Sequence, residues 1–161
     1  MQSVTGDYSE SIASLTRSLA LYRGTGTPWG EANALAALGD VQRLTGESSA
    51  ANANLAQALQ LYRELGHRSG ESETQNSIGE LLQSSSDYEN ARSHHEQALD
   101  IARRIAAPLE EARALEGIGV CHIRCGQTGE GITLLRQALG IYEHVSSPRS
   151  HRVEKVLHEL G

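Results

Sequence analysis

A register of about 40 residues runs through this chain of 161 residues and limits what it can fold into. Gly39, Gly79 and Gly119 share one column, preceded by Leu38, Ile78 and Ile118; Ala58, Ala98 and Ala138 share another, followed by Leu59, Leu99 and Leu139. The stretch from Gly30 to Arg68 is therefore a unit that recurs. A unit this short cannot bury its apolar face alone, so copies must stack on one another.

Within the unit the apolar residues keep helical spacing. Ile12, Leu15, Leu19 and Tyr22, then Leu55, Ala58, Leu59 and Tyr62, then Ile132, Leu135, Leu139 and Tyr142 fall at or near i, i+3, i+4 and i+7. Nothing reads as a strand, and the fold class is all-α, with about eight helices of two alternating types. One type is expected near 28–45, 68–85, 108–125 and 148–160, the other near 7–24, 47–65, 87–105 and 127–144. The boundaries carry matching chemistry. Pro28, Pro108 and Pro148 open helices where the missing N–H is harmless, Thr27 and Ser147 stand as N-caps, and Gly26, Gly46, Gly66 and Gly126 close helices. Asp7 and Asp87 are expected to begin helices, and Asp7 has Glu10 at capping-box spacing.

A single domain covers residues 1–161, divided as a half repeat 1–27, repeats 28–67, 68–107 and 108–147, and a C-terminal capping helix 148–161. Val153, Val156, Leu157 and Leu160 form one apolar stripe on that last helix, with a polar remainder, as an end cap requires. Met1 to Gly6 lines up with Val41 to Gly46, so the chain is expected to start at the tail of a helix and to be a piece of a longer protein. The first full helix would then lack a neighbour, and a homodimer through this uncapped N-terminal helix would cover it. No apolar run approaches a membrane span and no signal peptide is evident, so a cytoplasmic setting and no membrane partner are expected. The net charge of −6 argues against direct nucleic-acid binding. Arginine outnumbers lysine, Lys155 being the only one, and Phe is absent, a composition suggesting a GC-rich bacterial genome.

Leu38-Gly39 with Ala51, Leu55 and Ala58, repeated as Ile78-Gly79 with Ala91 and Ala98, resembles the tetratricopeptide repeat pattern; the third copy carries Gly131 in place of the middle alanine. The resemblance covers the whole chain and implies a right-handed α-α superhelix, a TPR solenoid. The segments His95 to Arg104 and Glu110 to Gly119 are similar to repeats of actinobacterial modular transcriptional regulators of the antibiotic regulatory protein and NB-ARC type. By that resemblance the chain would be a non-enzymatic interaction module that senses a ligand within a larger regulator; a free-standing adaptor is the alternative. Its partner would be a protein or peptide ligand, or another domain of the parent chain.

In such solenoids the first helix of each repeat lines the concave face. Carried over position by position, the peptide-binding face would show Asn33, Ala36, Asp40 and Arg43, then Glu73, Asn76, Glu80 and Gln83, then Arg113, Glu116, Val120 and Arg124. The carboxylate clamp of some relatives is not expected, because Ala36 and Asp40 stand in its columns. The acids Asp40, Glu73, Glu80 and Glu116 would favour basic groups near the middle of a ligand, and Arg113 and Arg124 an acidic group towards the C-terminal end. That these are merely solvated helix faces is the competing reading.

Other chemistry is weakly signalled. Cys121, His122 and Cys125 offer three metal ligands at most, not all on one side of a helix, and read as packing residues; no cofactor and no metal are expected. His95 occupies a column held by Leu15, Leu55 and Leu135 and reads as a buried histidine with a hydrogen-bond partner. The glycine-rich turns Gly24 to Gly30 and Gly126 to Gly131 follow helices, not strands, and lack a Gly-Lys-Ser/Thr ending, so they are connectors. No nucleophile, base and orienting group assemble from spacing.

Overall fold

The computed structural model describes the backbone of residues 2–160 and the side chains of residues 7–160. Eight helices follow one another: α1 Gln2–Thr25, α2 Pro28–Thr45, α3 Ser48–Glu64, α4 Arg68–Ser84, α5 Tyr88–Arg104, α6 Pro108–Arg124, α7 Thr128–His144 and α8 Arg149–Leu160. No strand occurs among the described residues. Each helix packs on the next, and α4 also touches α2 and α6, so the even-numbered helices form one layer of a right-handed superhelix.

The turns are nearly identical. One residue in the left-handed conformation follows each helix from α1 to α7: Gly26, Gly46, Gly66, Ser86, Ala106, Gly126 and Ser146, one every 20 residues. The next residue's N–H reaches back to the helix, as in Glu47 to the Gln42 carbonyl at 2.8 Å and Ser147 to the Tyr142 carbonyl at 2.8 Å, the bond that closes a Schellman turn. Glycine fills four of these places because it meets no Cβ penalty there. Ser86, Ala106 and Ser146 accept the strain instead, at φ 63°, 53° and 54°.

One boundary departs from expectation. The helix expected to begin at Asp7 runs unbroken from Gln2, and Asp7 is no cap: its carbonyl accepts the Ser11 hydroxyl at 2.8 Å inside α1. Continued helix through Gly6 gains a backbone hydrogen bond per residue, which a turn there would forgo. Thr27 makes no side-chain cap bond either. Asp87 Oδ1 accepts the Asn90 N–H at 3.4 Å, and Ser147 Oγ accepts that of Arg149 at 3.3 Å. His67 caps α4 through Nδ1, which accepts the Gly70 N–H at 3.1 Å.

The core is apolar at both ends, and between them a third apolar cluster of Ala51, Leu55, Leu59, Ile78 and Leu81 adjoins a polar stretch of α4. One cluster joins Leu19, Ala32, Leu35, Leu38, Ala58 and Tyr62; another joins Ala112, Leu115, Leu135, Ala138, Tyr142 and Val153. Where α2 buries Ala32, Ala34 and Leu35, and α6 buries Ala112, Ala114 and Leu115, α4 buries Ser72, Thr74 and Gln75. The glycine column marks the crossings within repeats. A Cβ on Gly39 would stand 2.5 Å from Leu55 Cγ, and one on Gly79 2.5 Å from His95 Nε2. Gly131 is pressed in the same way against Ile123 and the Gly119 carbonyl. On α1, Ile12 and Leu15 pack partly against the first cluster, while Leu21 is 68% exposed. Among the described residues no helix is long and apolar enough to cross a membrane.

Candidate ligand groove

Two adjoining depressions open on the face of the even-numbered helices, and they share Arg43 and Arg113. The first, about 370 Å³, is lined by Arg43, Glu80, Gln83, Arg113, Glu116, Val120 and Arg124 of the expected set. The second, about 440 Å³, adds Asp40 and Glu73. Column geometry explains the gathering, since residues four and seven apart fall on one side of a helix and successive repeats set those sides next to each other.

Three of the expected residues line neither depression. Asn76 is fully buried, so it is no part of the groove surface: its Oδ1 lies 2.9 Å from His95 Nδ1, and its amide donates to the Glu110 carbonyl at 3.0 Å. Asn33 Oδ1 accepts the Tyr62 hydroxyl at 2.6 Å. Burial raises the Tyr62 pKa to about 12, helped by the charges of Glu73 and Asp40. Ala36 packs against the first apolar cluster.

The acids that the sequence offered to a ligand's basic groups are largely occupied by the protein's own arginines. Glu80 meets Arg43 at 3.0 Å, Arg113 at 3.1 Å and Arg149 at 3.3 Å. Burial alone would raise its pKa, but the three guanidinium groups hold it at about 2. Glu116 accepts the Tyr142 hydroxyl at 2.7 Å and pairs with Arg149 at 3.4 Å and with Arg152. Arg113 is also held by Glu110 at 3.1 Å. These arginines are fixed in place by fully used carboxylates, an arrangement that is rigid before any ligand arrives.

Arg149 and Arg152 come from α8, which in the sequence reads only as a polar cap. Arg152 lines the first depression beside Val156, and Arg149 the second. The signal for Arg149 was its place in the repeat, forty residues after Leu109, which lines the same depression; Arg152 stands forty after the buried Ala112, a column that gave no sign of the groove. Glu73 and Arg124, on the groove lip, make no ion pair among the described residues. Burial raises the Glu73 pKa and the neighbouring charge of Glu110 raises it further.

His95 lies outside the groove but behind it. It is completely buried in the column of leucines, between Gly79 and Gly117, with Nε2 unpartnered. Because the Asn76 amide donates to Glu110, its Oδ1 faces His95, so Nδ1 carries the proton and Nε2 is a bare acceptor. Burial lowers its pKa to about 4; the charge of Glu80 opposes the shift, and those of Arg113 and His94 add to it. Cys121 is buried with Gln83 donating to its Sγ at 3.4 Å, whereas Cys125 is exposed. His122 Nδ1 turns to Gln127 at 2.6 Å. No group of three potential metal ligands stands together among the described residues.

Fold and groove together define a right-handed solenoid of helix pairs with two charged depressions on the face of its even-numbered helices. The family model of the tetratricopeptide repeat matches residues 3–64, 51–104 and 70–144, and the chain belongs to that family. Solved structures agree at low identity. A Rap protein complexed with Competence and Sporulation Factor superposes with a TM-score of 0.87 at 17% identity, covering 97% of this chain and 44% of that one. BtubC (BKLC) from P. vanneervenii gives 0.76 at 17% identity, covering 88% and 59%. Kinesin light chain-like repeats from Podosopora anserina give 0.72 at 15% identity, covering 97% and 78%. The chain thus spans about half the length of the Rap and BtubC chains. No curated protein sequence matches it.

Proposed function

We propose that the concave face between α2, α4, α6 and α8 binds a peptide or an extended protein segment, and that the chain works as a non-catalytic recognition module. The observation that carries this is the pair of joined depressions, walled by arginines that internal carboxylates hold rigid before binding. Preorganised donors reduce the entropy lost when a flexible ligand is ordered. A superhelix of the same shape in the Rap complex with Competence and Sporulation Factor supports a ligand-holding role. The resemblance of 95–104 and 110–119 to bacterial regulators supports a further reading, in which the module is the sensing arm of a larger transcriptional regulator; upstream coding sequence for an ATPase or DNA-binding domain would bear on it directly.

The test is selection from an unbiased displayed-peptide library, followed by Val120→Trp. Position 120 shares its column with Asp40 and Glu80 and is half-buried where the first depression meets the second apolar cluster, so the larger ring extends into that depression. Selected peptides should lose binding to this variant while its helical circular dichroism and melting stay unchanged. Peptides that bind both proteins equally would refute the concave site.

A further inference from the structure

The groove is electrically lopsided, and this rests on the concave-face reading above. Its first depression has four arginines, Arg43, Arg113, Arg124 and Arg152, against two acids, Glu80 and Glu116, which are already bridged by arginine. That is a net positive patch in a chain whose net charge is −6. The second depression is balanced, three acids against Arg43, Arg113 and Arg149, and its acids gather at the outer lip. There Asp40, Glu73 and Glu110 crowd together; Arg43 stands 3.6 Å from Asp40, and Glu73 has no ion-pair partner among the described residues. One end therefore presents Arg124, unpaired among the described residues, beside Arg152, which Glu116 holds but which still faces solvent, and the other presents Glu73.

We infer that the ligand is a dipolar peptide segment, with an acidic side chain between Arg124 and Arg152 and a basic side chain against Glu73. Between them Val120 and Val156 offer a short apolar floor. Glu110, at the acidic lip, and Arg124, at the basic end, stand at opposite ends of α6. Fourteen residues at 1.5 Å give about 21 Å between them. An extended chain covers that in roughly six residues at about 3.3 Å each. An acidic ligand without the basic group, or one with both charges adjacent, cannot engage both ends. Nor does duplex nucleic acid suit the site, since the same groove would place its phosphates against Glu73 and Asp40.

The experiment uses three fluorescent synthetic peptides: paired glutamates and paired lysines about six residues apart on a neutral aliphatic spacer; the same composition with the charges adjacent; and a glutamine-substituted neutral version. Both chain directions of the first are made. Anisotropy titration should give at least tenfold tighter binding of the spaced peptide in one direction than of either control, weakening as salt is raised. Arg124→Glu and Glu73→Lys should each reduce it at least fivefold, with Arg124→Gln intermediate and all three melting like the wild type. Equal binding of the spaced and neutral peptides would overturn the inference, as would full displacement by inorganic phosphate at millimolar concentration. Neutral library peptides that bind the wild type and not Val120→Trp would leave the concave-face reading standing while removing the charge pattern. A library with no groove-dependent binders would remove both.

Discussion

Acidification should unfold the middle of this chain through one buried ring. His95 has no exposed surface and no acceptor for a second ring proton, and its pKa falls from 6.5 to about 4. As pH drops through 6.5 the unfolded chain takes up the proton and the folded one does not. The stabilisation from the neutral ring is therefore complete above pH 6.5 and is lost progressively down to pH 4. The shift corresponds to roughly 3 kcal/mol. Glu80 acts in a lower window: its depressed carboxyl stabilises above pH 4.5 and loses that contribution as pH falls towards 2. Urea unfolding at a series of pH values, on wild type and His95→Gln, separates the two. The glutamine amide can still donate to Asn76 Oδ1 but does not titrate, so its stability should fall by about 3 kcal/mol less than wild type between pH 7 and 4. The half-buried His94, whose pKa burial also lowers, contributes equally to both proteins and cancels. Parallel curves for the two proteins would refute the assignment, and so would a ring resonance of His95 titrating near pH 6.5 in the native wild type.

Glycines should separate cleanly by what surrounds them. Gly79→Ala should cost about 1 to 3 kcal/mol through overpacking against the immobile His95 ring, whereas Gly140→Ala, with nothing within 4 Å of the new methyl, should add roughly 0.5 to 1 kcal/mol from helix propensity; thermal melts of the two should move in opposite directions. Ala106→Gly relieves a left-handed alanine and should raise stability by up to about 1 kcal/mol in the same assay; a lower melting temperature would contradict the strain. Tyr142→Phe removes a 2.7 Å donor to a buried carboxylate and should cost about 1 to 3 kcal/mol in denaturant titration, an unchanged midpoint being the contrary result.

Helix order and boundaries were legible because stacking repeats amplify a weak local signal: Gly39, Gly79 and Gly119 are individually ambiguous, but at one spacing they mark helix crossings. The left-handed places at 86, 106 and 146 were not legible, since serine and alanine give no local sign of a conformation imposed by the packing on either side. A compensation between columns was equally illegible. The rings of Tyr22 and Tyr62 lie against Gly30 and Gly70, and where the tyrosine becomes Ala102 the glycine becomes Glu110. At the groove, column positions located most of the lining residues but not their charge state. That depends on which arginines reach Glu80 and Glu116, and two of them come from a helix whose stripe pattern speaks only of capping. Asn76 shares its column with Ala36 and Glu116, and a histidine in place of a leucine across the interface gives its buried amide oxygen a partner.

The seven evenly spaced turns would seem to make the repeats interchangeable, yet the packing forbids it. His95 is clamped by Gly79 of its own repeat and by Gly117 of the following one, where the first repeat has Ala37 and the second Ser77. Copying the middle repeat in tandem would drive the first histidine into a serine side chain; excising it would leave Gly117 facing Leu55 across a gap. The succession of the second and third repeats is thus written into the core as a lock and key between neighbours.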